Sequence, residues 1–307
     1  MTVTDLGRSS RSGAPSPGPG AGRWARAAAA VPPPGLLLVS IISIQLGAAV
    51  AINLFARIGP VATVFLRLAF AAVLLLVLRR RQIRASARGH ALPLVLFGCV
   101  IGAMNLCFYG SIARIPLGIA VAIEFVGPLG VAAFTSRRLR EFLWIGLAVA
   151  GLALLTPSIG TDLDPVGVAL ALAAGAGWAT FVLASPRVGR RVGDASLALA
   201  MPAACLFVLP VELAAGGLER LDPGLLAGAF AVAVLSTALP LSLEFEALRR
   251  MTARAYGVTI TLEPVVATLI GAALLRQAVA PAALLAIGCV TAAAIGVTVS
   301  ERRSFLA

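Results

Sequence analysis

Apolar and polar positions alternate along this chain on a long period: stretches of about 20 apolar residues are separated by short segments that collect almost all the charge. An apolar stretch of that length crosses a bilayer as a helix that satisfies its own backbone hydrogen bonds. The pattern predicts ten such helices, over 36–55, 61–78, 91–113, 117–135, 142–156, 166–184, 195–212, 224–246, 255–275 and 281–299. Segment five is the shortest, and segment seven is broken by Pro202 and Pro210. An acidic loop divides the set five and five. Because five is odd, the second half begins on the opposite face from the first, and related halves would be inverted repeats, an arrangement common in secondary transporters. The fold class is therefore an all-α membrane protein, ten transmembrane helices as two inverted five-helix repeats. The organisation reads as a disordered cytoplasmic tail over 1–34, a first repeat over 35–156, an external linker over 157–165, a second repeat over 166–300 and a cytoplasmic tail over 301–307.

Charge adds the orientation. The chain has 307 residues, 60% of them hydrophobic, and all 25 of its basic residues are arginine. Twenty arginines fall in the N-terminal tail, after helices two, four, six and eight, and at the C-terminus, whereas Arg57, Arg114, Arg220 and Arg276 alone occupy the alternate loops. The positive-inside rule then places both termini in the cytoplasm. The net charge of +12 is explained by topology and anionic lipid, so no nucleic-acid partner is expected. Composition rich in Ala, Gly and Arg without lysine points to a bacterial plasma (inner) membrane. Cys99, Cys107, Cys205 and Cys289 all lie inside predicted helices and read as packing residues. No metal site, cofactor or catalytic motif is expected: His90 is the lone histidine, and no HExxH, GxSxG or Walker A pattern occurs. The sequence sets no oligomeric state.

The halves share a register. Tyr109, Arg114 and Pro128 are followed at a constant offset of 136 by Phe245, Arg250 and Pro264. The run Gly102-Ala-Met-Asn-Leu-Cys-Phe-Tyr109, then Pro116-Leu-Gly-Ile-Ala-Val-Ala-Ile-Glu-Phe-Val-Gly-Pro128, resembles the EamA family of the drug/metabolite transporter superfamily. Ser136-Arg-Arg138, Ala169-Leu-Ala-Leu, Gly175-Ala-Gly-Trp178, Leu235-Ser-Thr-Ala-Leu-Pro240, Ser242-Leu-Glu244 and Glu263-Pro264 continue the likeness in order, from helix one to helix ten. The resemblance implies a secondary transporter exporting small amino acids of the threonine or homoserine kind. Many family members carry Gly-Glu after helix nine, where this chain has Leu275-Arg276-Gln277, so no role of that glutamate carries over.

Ionisable groups inside spans are expensive and default to functional candidates. Glu124 lies four residues before Pro128 in helix four, and burial would raise its pKa toward a range where it can carry a proton; the alternative is a neutral or arginine-paired structural acid. Glu263 directly precedes Pro264, where a kink beside an acid could build a transport site or merely satisfy local backbone. Both prolines are expected to kink their helices. Arg67, the one arginine placed within a span, could grip a carboxylate through its planar fork, pair with Glu124 or Glu263, or snorkel. Glu244 is expected to face the cavity, with Glu246 and Arg250 forming an interfacial pair. Asn105, Tyr109 and Trp178 complete the candidate site. Gln45, Asn53, Thr180, Ser236, Thr237, Tyr256 and Thr259 form a wider polar set, in which Tyr109, Trp178 and Tyr256 serve equally well as interfacial anchors. Gly98 and Gly102, and also Gly175 and Gly177, read as close helix contacts. The expected partners are a small-molecule substrate, protons and membrane lipid. Two other readings stand beside amino-acid export: the same scaffold carrying another metabolite or a hydrophobic drug, and a membrane-embedded lipid-modifying enzyme.

Overall fold

The computed structural model describes residues 31–86, 91–115, 117–136, 139–155, 163–263, 265–266, 269 and 281–306. Among these residues every regular element is helical. Five helices are long and apolar enough to cross a membrane: Leu54–Ile83, Ala91–Ile112, Pro165–Val192, Ser196–Ala215 and Pro223–Arg250. Four shorter apolar helices accompany them, Pro33–Gly47, Ile119–Thr135, Glu141–Leu154 and Leu284–Val297. The outer surface carries exposed apolar side chains, Val73, Leu92, Phe134, Leu143, Leu206 and Leu285 among them, as a lipid-facing belt requires. Most of the expected tail and linker lies outside the described residues, and helix already begins at Pro33.

The first helical stretch, α1 (Pro33–Ser86), is two arms joined at Gly59, whose φ of 81° suits glycine and little else. Pro60 then opens the second arm with its φ already set. α2 (Ala91–Ile112) follows. The single fourth helix expected from hydropathy is instead split into α3 (Leu117–Glu124) and α4 (Val126–Thr135), with the break at Phe125. Pro128 has no N–H to offer the carbonyl of Glu124, one turn earlier, so the ladder fails there. α5 (Leu139–Leu155) and α6 (Pro165–Val192) come next, α6 being capped by the Asp164 side chain, which accepts from the Val166 N–H at 2.8 Å.

α7 (Ser196–Ala215) departs from expectation in the other direction, remaining helical through Pro202 and Pro210. α8 (Pro223–Ala233) and α9 (Leu239–Arg250) are joined by a π turn over Val234–Ala238, which hydropathy could not distinguish from plain helix. Pro240 cannot donate to the preceding turn, and the Ser43 hydroxyl donates to the Leu235 carbonyl at 2.6 Å. α10 (Ala253–Thr259) ends just before Ile260, four residues ahead of Pro264, where i→i−3 bonds take over. Pro264 itself lies outside the described residues. α11 (Pro281–Leu306) ends the chain.

Packing pairs these elements in a repeating way. α2 packs on α6 and α7, while the α8–π turn–α9 segment packs on both arms of α1. α1 also meets α7, α4 meets α10, and α5 meets α11. Gly98 and Gly102 bring α2 against the α7 backbone: a Cβ on Gly98 would stand 2.1 Å from the Ala200 carbonyl oxygen. Gly175 brings α6 against the break after Glu124, where a Cβ would stand 2.8 Å from the Glu124 carbonyl oxygen. These small residues let helices without a hydrophobic driving force between them gain close van der Waals contact.

Candidate functional site

Two polar clusters lie inside this apolar scaffold. The first is built on Arg67, seven residues into the second arm of α1 and so roughly 10 Å from its start. Its Nη1 donates to the Tyr109 hydroxyl at 2.9 Å, and its Nη2 donates to Asn105 Oδ1. Asn105 and Tyr109 are one turn apart on α2, and Asn105 Nδ2 is tied to the Ile101 carbonyl at 2.8 Å. The guanidinium also lies 5.1 Å from the Tyr109 ring centroid, and Phe55 packs on that ring at 5.2 Å. Arg67 makes no ion pair among the described residues. It commits two of its five N–H donors, and Nε is buried without a partner. A buried guanidinium with spare donors, anchored only by neutral groups, is prepared for an anion.

The second cluster centres on Glu244 of α9, which is 5% exposed and roughly 9 Å from the Arg250 end of that helix. Its Oε1 accepts from the Ser40 hydroxyl and its Oε2 from the Tyr256 hydroxyl, both at 2.8 Å. The Tyr256 oxygen in turn accepts from Trp178 Nε1 at 3.1 Å, and the indole packs against Phe125 at 5.1 Å. Four helical segments therefore contribute: the first arm of α1, α6, α9 and α10.

Between the clusters are the two acids at helix interruptions. Glu124 ends α3 and lies within Coulombic range of both Arg67 and Glu263. Glu263 lies within Coulombic range of Glu244 and Tyr256. Glu124 and Glu263 both keep partial exposure, Glu263 just beyond a fully buried run over 255–261. The ion pair of Arg67 with one of these acids, one of the alternatives open from sequence, is absent among the described residues; the guanidinium is held instead by Asn105 and Tyr109, which stand one turn apart on α2.

Of the candidates named from sequence, Arg67, Asn105 and Tyr109 thus meet in one place, and Glu244 and Trp178 in another. Pro128 is buried beside the break it causes. Tyr256, left open as an interfacial anchor, is completely buried and belongs to the second cluster. Thr180 is exposed on the outside and bonds its own helix at Ala176. The side chain of Asn53 lies outside the described residues. Sequence reasoning missed Ser40, one serine in a run of Leu, Val and Ile that carries no distinguishing signal. It also missed the pair of the partly buried Arg254 Nη1 with the buried Glu141 Oε1, 2.8 Å apart, which ties α10 to α5. A glutamate opening an apolar helix and an arginine opening its neighbour were the available signal. At the interface, Arg249 pairs with Glu246 at 3.4 Å, and Arg250 Nη2 donates to the Val31 carbonyl at 2.9 Å.

Comparison with known proteins supplies the lineage. The family model described as EamA-like transporter family matches residues 165–299. The threonine/homoserine exporter RhtA of Escherichia coli (strain K12) is 41% identical over 271 residues, covering 87% of this chain and 92% of that protein. The threonine/homoserine exporter RhtA of Salmonella typhimurium (strain SL1344) is 40% identical over the same length. A solved crystal structure superposes with a TM-score of 0.72 at 17% identity, covering 87% of this chain and 98% of that one, a likeness of fold alone.

Proposed function

Since the chain belongs to the EamA-like transporter family, we propose that it exports small amino acids of the threonine and homoserine type across a bacterial plasma membrane in exchange for protons. One observation carries the site: a buried guanidinium with unused donors shares the interior with two carboxylates at helix interruptions. In this reading Arg67 receives the substrate carboxylate, positioned by Asn105 and Tyr109. Glu124 and Glu263 receive the ammonium group and exchange it for protons. An amino acid needs both signs of charge within its own length, and the three residues supply them. The 41% identity to a named threonine/homoserine exporter supports the substrate class.

The scaffold for this is ten helices in two inverted repeats over 35–156 and 166–300, with both termini and the arginine-rich loops in the cytoplasm. Supporting it, the packing of α2 on α6 and α7 has its counterpart, at the 136-residue offset, in the packing of the α8–π turn–α9 segment on the two arms of α1. The helix breaks at Phe125 and at Ile260 likewise precede Pro128 and Pro264 by three and four residues. Alternating access would then be rocking of one repeat against the other around the central acids.

The test is efflux of preloaded labelled threonine from cells expressing the protein, against empty vector with matched internal pools. Faster efflux that slows on adding an uncoupler, with internal pH monitored, supports exporter and proton exchange together. Unchanged efflux with the protein shown to be in the membrane removes threonine as the substrate. Displacement of labelled threonine by an aromatic or cationic solute would instead favour a drug or another metabolite.

A further inference from the structure

The Glu244 cluster has features that a fixed structural contact does not need. Its donors all point one way: Trp178 N–H to the Tyr256 oxygen, Tyr256 O–H and Ser40 O–H to the two Glu244 oxygens. Among the described residues no arginine pairs with Glu244. Apolar side chains of similar volume would hold four helices together at least as well, because a buried charge must first recover its desolvation cost. Polar contacts of this kind suit a joint that is made and broken, since each partner finds water when the joint opens.

Its position agrees. The cluster lies between Glu263 and the helix ends that carry the arginine-rich segments, with Tyr256 seven residues before Glu263. Two further polar contacts close the same end, Arg254 with Glu141 at 2.8 Å and Arg250 with the Val31 carbonyl at 2.9 Å. On the inner side of the cluster, the hydroxyls of Thr237 and Thr259 are buried without hydrogen-bond partners. Thr259 is one turn beyond Tyr256 and is the last residue of α10, four residues before Glu263 in the chain, so its orphan hydroxyl lies on the inner side of Tyr256. Buried hydroxyls without partners are unusual in a finished interior. They are accounted for if this conformation is the shut one and water or solute reaches them when it opens.

We infer that Ser40, Trp178, Glu244 and Tyr256 form the gate at the arginine-rich end of the transport path, and that Thr237 and Thr259 line the path immediately behind it. The inference rests on the transporter reading but not on the identity of the solute. Tyr256 and Glu244 act here as positioning residues: they hold the barrier and do not grip the substrate.

The experiment is side-specific labelling by a membrane-impermeant thiol reagent. Thr259→Cys is introduced as reporter in full-length protein whose four native cysteines are replaced by alanine, with Thr237→Cys as a second reporter. Arg190→Cys and Glu219→Cys, at exposed positions near opposite ends, identify which face the vesicles present. No solute is added, so the outcome is independent of the threonine efflux result. With the gate intact, labelling of either reporter from the arginine-rich side should be slow. Tyr256→Phe, which keeps the ring and removes the hydroxyl, should accelerate it at least about tenfold from that side only, and Glu244→Gln should do the same. Labelling unchanged by both substitutions overturns the inference. So does labelling that rises equally from both sides, which would mark the cluster as ordinary structural glue. If Thr259→Cys fails to reach the membrane, Thr237→Cys decides by the same criteria.

Discussion

Arg67 and Glu244 are both buried ionisable groups without an opposite charge paired to them among the described residues, yet they are held in different ways. The Arg67 cluster comes from sequence neighbours, the second arm of α1 and the adjoining α2. The Glu244 cluster gathers Ser40 from the first half of the chain with Trp178, Glu244 and Tyr256 from the second. A group that must recognise a solute repeatedly gains from neighbours that move with it. A group that must separate gains from partners on bodies that move apart. The difference supports the proposed recognition role of the arginine and the proposed closure role of the glutamate.

Arg67 is where that contrast breaks most visibly. Arg67→Ala should reduce threonine efflux to the empty-vector rate, whereas Arg67→Lys, keeping charge but not the fork, should raise the apparent KM roughly 10- to 100-fold, about 1.5–3 kcal/mol for a lost charge-assisted bond. Efflux rate against internal threonine measures both, and a wild-type KM in Arg67→Lys would remove the arginine from recognition. The two acids come next. Glu124→Gln and Glu263→Gln should each abolish acceleration of efflux by an imposed pH gradient, while exchange of labelled for unlabelled threonine is weakened but not lost. Full pH-driven transport in both variants would end the proton-carrier role.

Stability sharpens the comparison at the arginine-rich end. Glu141→Ala leaves the partly buried Arg254 without its carboxylate, which should destabilise the protein by about 1–3 kcal/mol in denaturant or thermal unfolding in detergent. The double variant with Arg254→Ala should recover much of that loss, and a cost equal to the single variant's would show that the pair is not the cause. The opposite end carries exposed pairs instead, Arg57 with Asp222 at 3.5 Å and Arg114 with Asp164 at 3.0 Å. Arg57→Ala should change stability by roughly 0–1 kcal/mol. The hydrogen bond from Arg114, aided by the Val166 N–H, holds the Asp164 carboxyl below its ordinary pKa. Because the folded value is the lower one, the contribution of that contact is present above the unfolded pKa and is lost as pH falls through the folded value. Unfolding midpoints of Arg114→Ala and wild type should therefore keep a constant, small separation across neutral pH and converge only in acid.

Much of the candidate site was legible because membrane interiors punish charge. Arg67, Glu124 and Glu263 stood out as ionisable groups within apolar runs, with Asn105 and Tyr109 among the polar candidates beside them. That Arg67 would bond these two and form no ion pair with either glutamate among the described residues was not legible, since helix rotation decides which acceptor reaches the guanidinium. Prolines were ambiguous for a similar reason. Pro128 splits its helix, whereas Pro202 and Pro210 leave α7 unbroken, and only the neighbouring helices decide which carbonyls go unserved. Ser40 had no signal, because a lone serine in a membrane helix usually bonds its own backbone.

The chain by itself determined that this is a multi-pass helical membrane protein of a transporter family, and which rare charges its spans contain. Hydropathy is local and adds residue by residue, so it survives in one dimension. Tertiary structure decided which of those polar groups meet: the rotation and crossing of helices, set by small contacts such as Gly98 on Ala200 and Gly175 on Glu124, bring Tyr256 to Glu244 and Arg67 to Asn105. A helix turns 100° with each residue, and few of the sequence's apolar positions record how far its neighbour has turned.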